Sequence, residues 1–364
     1  MTALSEVPTP ALILDLDRLE RNLRRMGERA SSLGVGLRPH IKTHKCLEIA
    51  RMQRDLGCSG LTVSTLYEAR VLAENGFDNL TWAFPVVLSR IDEANQIARA
   101  VDLGLVLDSM EALRALEASG QPFRVWLKVD CGYHRAGVDP ESPLARELAR
   151  RLDDSSRLHF EGLLTHAGHA YKTESRDELE LVAEEERSFL VRLAEALRDE
   201  GIEVPAVSVG STPTMSVVGS LAGVDEMRPG NYVFYDLMQA HLGSCSADDC
   251  AVTVLASVIS SQPGTEHCVI DAGALALSKD SLSVGDGDTT FGEVLETSPR
   301  TRPTTTAHVR SLSQEHGVVD SDLPVGTRVR VLPVHSCLTV ACFDEYVVVR
   351  GDRVVDRWKV WRGR

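Results

Sequence analysis

The chain has 364 residues, 43% hydrophobic and 25% charged, a balance that excludes wholesale disorder and a fibrous repeat and leaves room for two domains or one large barrel with an appendage. Its 39 basic and 53 acidic residues give a formal charge of −14, which argues against a surface for nucleic acid or anionic lipid and points to small-molecule partners. No apolar run approaches the roughly 20 residues that span a bilayer, and residues 1–10 lack the basic-then-apolar order of a secretion signal, so a cytoplasmic protein with no membrane partner is expected.

Along the first two thirds, short apolar or β-branched runs alternate with segments of helical period. Strands are predicted at 35–41, 60–64, 80–84, 104–108, 123–129, 160–165 and 206–210, with a weaker one at 226–228. Helices are predicted between them, among others at 65–75 and at 179–200, where Leu179, Val182, Phe189, Leu193 and Leu197 recur at helical spacing. Eight such units predict an α/β fold, a (β/α)8 TIM-type barrel.

After about residue 245 the texture becomes mostly β, with runs at 251–259, 267–272, 328–333 and 346–358, the last carrying a Gly351-Asp352 hairpin turn. Residues 281–292, rich in Gly and Asp, read as a loop. The expected division is a barrel over 10–245 and a β domain over 246–364 joined by residues 1–9. The eight cysteines form no CxxC pair, and in a reducing compartment most are expected to be buried thiols, Cys337 excepted.

In such a barrel the reacting groups gather where strands end at their C-termini. The first strand runs into Arg38-Pro39-His40-Ile41-Lys42-Thr43-His44-Lys45, the fifth into Asp130-Cys131-Gly132-Tyr133-His134-Arg135, the sixth into His166-Ala167-Gly168-His169-Ala170-Tyr171 and the seventh into Gly210-Ser211-Thr212-Pro213-Thr214. Lys42, among ionisable neighbours, is placed to serve as a nucleophile towards a carbonyl; the alternative is a solvated loop lysine. Gly210, Ser211 and Thr212 offer backbone N–H groups and hydroxyls at a helix start, a cradle for phosphate or a simple cap. Arg228-Pro229-Gly230-Asn231 offers a second such loop. A lysine and a phosphate cradle in one barrel suggest pyridoxal phosphate. His335 and Cys337, two apart on an expected strand, face the same way and suit zinc or another divalent cation, or are a buried thiol beside a hydrogen-bonded imidazole.

Arg38 to Lys45, Val207 to Thr214, Pro229 to Asp236, Gln314-Glu315-His316-Gly317 and His335-Ser336-Cys337, in this order over nearly the whole chain, resemble the D-serine dehydratase family, which stands with the D-threonine aldolases among alanine-racemase-like pyridoxal-phosphate enzymes. The resemblance implies that Lys42 carries the cofactor, with Lys45 an accessory cation. It implies that Arg135 approaches the phenolic oxygen, that His166 lies beside the pyridine ring and that Tyr171 lies near the ring nitrogen. Gly210, Ser211, Thr212, Gly230 and Asn231 then hold the phosphate, and His335 and Cys337 bind zinc. His-x-Cys in place of the His-x-Asp of many aldolases favours a lyase that dehydrates D-3-hydroxy amino acids, above all D-serine to pyruvate and ammonia. Retro-aldol cleavage of D-threonine, dehydration of D-threo-3-hydroxyaspartate, racemisation and noncatalytic cofactor binding are the alternatives. A homodimer is expected from the same resemblance, and Tyr235, Asp236 and Tyr346 are expected to serve packing.

Overall fold

The computed structural model describes residues 3–285, 287–296 and 307–364. The chain divides into two compact units, Arg25–Gly230 with Gly363–Arg364, and Met1–Arg24 with Asn231–Arg362. After β1 (Ala11–Asp15) come β2 (Gly36–Leu37), β3 (Leu61–Val63), β4 (Asn79–Pro85), β5 (Asp102–Leu107), β6 (Arg124–Lys128), β7 (His159–Leu164), β8 (Ala206–Val209) and β9 (Glu226–Met227). The remaining strands are β10 (Val252–Ser261), β11 (Cys268–Ile270), β12 (Leu282–Val284), β13 (Asp288–Thr290), β14 (Gly292–Glu296), β15 (Ala307–Leu312), β16 (Gly317–Val319), β17 (Arg328–Pro333), β18 (Glu345–Arg350) and β19 (Arg353–Lys359).

In the first unit an eight-stranded parallel sheet runs β2-β9-β8-β7-β6-β5-β4-β3. A parallel bridge between His40 and Thr62, with the Thr62 N–H donating to the Pro39 carbonyl at 2.9 Å, joins the two outer strands and closes the ring. This is the expected barrel, with all eight predicted strands present. Its strands are covered on both faces, which is why Leu105, Val106, Leu107, Val125 and Leu127 read as continuous apolar runs and are fully buried. Gly162 is required where β7 meets β8: its φ is +130°, and a Cβ there would lie 1.8 Å from the Ala206 carbonyl oxygen.

The predicted helices are also present. Leu66–Glu74 is capped by the Thr65 side chain, and Arg176–Asp199 by Ser175, whose hydroxyl accepts from the Glu178 N–H at 3.2 Å. The buried stripe of the longer helix runs through Leu179, Val182, Leu190, Leu193 and Leu197 and contains one acid, Glu186.

In the second unit β10, β17, β14, β15, β16 and β11 pair antiparallel in turn, and β11 pairs back with β10. β1 lies between β10 and β18, so residues 10–24, assigned from sequence to the barrel, cluster with the β unit. Residues 231–245 do the same; Phe234 packs its ring 5.7 Å from that of buried Tyr346. The segment 281–292 is corrected from a loop: Leu282–Val284 and Asp288–Thr290 pair as a hairpin, because β-branched and apolar residues flank the Gly285 and Gly287 turn, and Gly292 opens β14. Among the described residues no helix is long and apolar enough to cross a membrane.

Candidate active site

The C-terminal ends of β2, β6, β7, β8 and β9 bring the barrel's cationic groups to one region. β2 leads through His40 into the 3-10 turn Ile41–Thr43, and His40 Nδ1 accepts from the Lys42 N–H at 3.4 Å. Burial, then the charges of Lys42, Arg228, His166 and Lys45, push the His40 imidazole well below its ordinary value. Burial and the charges of Lys42, Lys128, Arg228 and Arg135 do the same to His166. Both rings are therefore neutral at pH 7; Lys42 and Arg228 act on both, and Lys128 and Arg135 act on His166.

Arg228 is 5% exposed and held from several sides. Its Nε donates to Ser208 Oγ at 2.6 Å and its guanidinium donates to the Thr165 carbonyl, while the Ser208 hydroxyl donates to Glu226 Oε1 at 2.7 Å. Lys128, the last residue of β6 and 7% exposed, is pushed down to about 8 by burial and by the neighbouring Arg228 and Arg135. Arg135 is exposed and lies over the Tyr133 ring at 4.8 Å. Lys45 is occupied: its ammonium pairs with buried Glu68.

His166 Nδ1 lies 3.3 Å from the Gly210 carbonyl oxygen, so the sixth and seventh strand ends touch. Ser211 acts as a cap, its hydroxyl accepting from the Thr214 N–H at 3.4 Å. Gly230 lies against the β2 exit: a Cβ there would stand 2.8 Å from the His40 carbonyl oxygen. Tyr171 lies half-buried on the 3-10 turn Gly168–Lys172. The buried, mutually repelling cations and the close backbone at Gly210 and Gly230 fit an anionic ligand bearing phosphate and a carbonyl, which is the character of pyridoxal phosphate.

In the β unit, His335 and Cys337 do not lie on an extended strand as expected. β17 stops at Pro333, and His335 immediately precedes the short helix Ser336–Val340 without a side-chain cap bond to it. The turn is imposed by buried Asp236, whose Oδ2 accepts from the Ser336 N–H at 2.9 Å and the Ser336 hydroxyl at 3.1 Å. The Asn231 side-chain amide is spent on this same segment, donating to Asp236 Oδ2 at 2.7 Å, Ser336 Oγ at 3.0 Å and Cys337 Sγ at 3.5 Å, which leaves its backbone for any phosphate. Burial opposes protonation of His335, yet Cys337, bonded to it, and Asp280 raise the imidazole to about 11. His335 Nδ1 faces Asp280, so Nε2 is the nitrogen turned to the Cys337 thiol, and thiol and imidazole are close enough to share one cation. Among the described residues no group of three or more His, Cys, Asp or Glu side chains is placed to hold a metal.

Lys128, Glu186 and Asp280 are candidates that motif reading passed over, and Asp236, expected to serve packing, holds the turn at Ser336. Two of them carried a signal: Lys128 is a charge inside the apolar run 123–129, and Glu186 interrupts the apolar stripe four residues after Val182.

Comparison with known proteins identifies the family and the fold. The alanine racemase N-terminal domain family matches residues 14–237, and a serine dehydratase domain family matches residues 251–349. The chain is 39% identical to D-threo-3-hydroxyaspartate dehydratase of Delftia sp. (strain HT23), over 98% of this chain and 97% of that one. It is 33% identical to D-serine dehydratase of Dictyostelium discoideum, over 97% and 96% respectively. The solved structure of a cysteine-to-alanine mutant of a D-threo-3-hydroxyaspartate dehydratase, in its metal-free form, superposes with a TM-score of 0.93 at 37% identity over 100% of both chains. The D-threonine aldolase of Filomicrobium marinum superposes with a TM-score of 0.85 at 30% identity, covering 98% and 96%.

Proposed function

Because the chain belongs to the D-serine dehydratase family of alanine-racemase-like lyases, we propose that it uses pyridoxal phosphate and a divalent cation, zinc first among them, to remove water and then ammonia from a D-3-hydroxy amino acid. D-Serine, giving pyruvate, and D-threo-3-hydroxyaspartate are the two substrates of that class to which its relatives point. The observation that carries the reading is the convergence of Lys42, Arg135, Arg228 and two neutral histidines at the barrel's strand ends.

Pyridoxal phosphate, when bound, withdraws electrons from the α-carbon of an amino acid and so acidifies its α-proton. Lys42 holds the cofactor, and its freed amine takes that proton as general base. The charges of Lys128, Arg135 and Arg228 keep the Lys42 amine from being the only cation available, so anionic groups can be bound without consuming the base. Arg135 would face the phenolic oxygen, neutral His166 would lie beside the ring and Tyr171 near its nitrogen. The backbone at Gly210, Ser211, Thr212, Gly230 and Asn231 holds the phosphate. His335 and Cys337 hold the cation, which supplies Lewis acidity towards a hydroxyl leaving group; a cysteine variant of a related dehydratase exists in a metal-free form, which supports a cysteine at such a position. A homodimer belongs to the same reading.

The test is a screen of purified protein against D-serine, D-threo-3-hydroxyaspartate and D-threonine, with and without zinc, assayed separately for keto acid and for glycine. Keto acid from either of the first two is expected. Glycine from D-threonine as the main product would establish the aldolase reading, which the likeness to the Filomicrobium enzyme supports.

A further inference from the structure

One carboxylate in the barrel unit joins two strand-end loops and a helix start. Glu186, on Arg176–Asp199 and 1% exposed, accepts through Oε1 from the Ala167 N–H at 2.8 Å and the Gly210 N–H at 3.1 Å. Through Oε2 it accepts from the Thr214 hydroxyl at 2.9 Å. Ala167 follows His166, Gly210 opens the loop of Ser211 and Thr212, and Thr214 Oγ1 in turn accepts from the Ser211 N–H at 3.1 Å.

A buried acid between Val182 and Leu190 costs stability unless each oxygen is satisfied, whereas an aliphatic residue on the same stripe would simply pack. The helix Thr212–Val217 is six residues long, too short to set its own orientation by propensity. The loops meet directly at His166 Nδ1 and the Gly210 carbonyl oxygen, and Glu186, outside both, ties them together a second time from behind.

We propose that Glu186 is a positioning residue that fixes the His166 loop and the Gly210–Thr212 loop in the arrangement that binds the phosphate and ring of the cofactor. This role rests on the pyridoxal phosphate reading above. The atom-by-atom pattern separates shape from charge. Glutamine keeps an Oε1 for both backbone N–H groups and turns its amide towards Thr214 Oγ1, whose hydroxyl can then donate to the Ser211 carbonyl oxygen 3.3 Å away. Leucine keeps most of the volume and loses all three bonds.

The experiment titrates pyridoxal phosphate into cofactor-free wild type, E186Q and E186L, following visible absorbance, with thermal unfolding measured on the same samples. E186Q is expected to bind within about threefold of wild type and E186L at least about tenfold more weakly. Should E186L fail to fold, Thr214→Val removes one of the three bonds and is expected to weaken binding about threefold. Wild-type affinity in E186L, or in Thr214→Val where E186L does not fold, overturns the role, as does an E186Q protein as weak as E186L. A wild-type protein that binds no pyridoxal phosphate removes the cofactor reading and this role with it, whereas normal wild-type binding with unaltered variants removes the role alone.

Discussion

His335 Nδ1 lies 2.6 Å from Asp280 Oδ2, a carboxylate 55 residues earlier in the chain. This bond fixes the tautomer and the plane of the imidazole and leaves Nε2 pointing away from its partner. A carboxylate behind a metal-binding histidine raises its basicity and orients it, and its loss costs about 10–100-fold in affinity. Asp280→Ala is therefore expected to weaken zinc binding by about that factor, read by competition with a chromophoric chelator in the absence of substrate. Unaltered affinity would show that His335 is not a ligand or that Asp280 does not orient it.

Lys128 gives a prediction about stability with a definite sign. Its folded value of about 8 lies below the ordinary lysine value of 10.5. The stability this group contributes is present above the unfolded value and is lost as pH falls through the folded one, so at pH 7 the buried ammonium opposes folding. Lys128→Met in the cofactor-free protein is expected to be more stable than wild type by about 2 kcal/mol at pH 7, and the gain is expected to fade between about pH 8 and pH 10. Urea denaturation across that range measures it; an advantage that persists unchanged at pH 10 contradicts the assignment.

The barrel was legible because a parallel sheet buried on both faces leaves continuous apolar runs such as 104–108 and 123–129, and because the helices between carry their own caps at Thr65 and Ser175. The location of Lys42 and of the Gly210–Thr212 loop just after barrel strands was legible from the order of apolar runs. Asp236 and Asp280 were not, because what matters about them is a hydrogen bond to residues 100 and 55 positions away, and no local pattern encodes such a partner. The geometry at His335 and Cys337 was misread for the same reason: period-two reasoning assumes a strand, whereas the Ser336 N–H bond to Asp236 turns the chain into a helix. Residues 10–24 looked like the start of the barrel from order along the chain, yet β1 pairs with β10 and β18.

Removing the amine at position 42 separates the loop-lysine alternative from the catalytic one. Lys42→Ala is expected to lose the visible absorbance of the bound cofactor and all keto-acid formation, while Lys45→Ala, whose ammonium pairs with Glu68, is expected to lower stability and to leave the absorbance intact. Spectra and turnover measured on both variants decide it; retained turnover in Lys42→Ala excludes the role.

Gly230 tests whether the backbone close to the β2 exit is needed for binding. A Cβ there would stand 2.8 Å from the His40 carbonyl oxygen and 3.0 Å from the His40 Cβ, so either the chain at Gly230 or the segment leading to Lys42 must shift. The nearest obstacle is backbone, which cannot swing aside as a flexible side chain would, and forced displacements of this kind cost about 1–3 kcal/mol. Gly230→Ala is expected to lose stability by that order and to bind pyridoxal phosphate at least about tenfold more weakly, because the displaced segment carries both the phosphate-side backbone and the route to Lys42. Gly219→Ala is the matched control: nothing lies within 4 Å of its Cβ position, so a change within about 0.5 kcal/mol and unaltered cofactor affinity are expected. Chemical denaturation and cofactor titration of the two variants side by side check both halves, and a Gly230→Ala protein with wild-type cofactor affinity would exclude this backbone from the phosphate site.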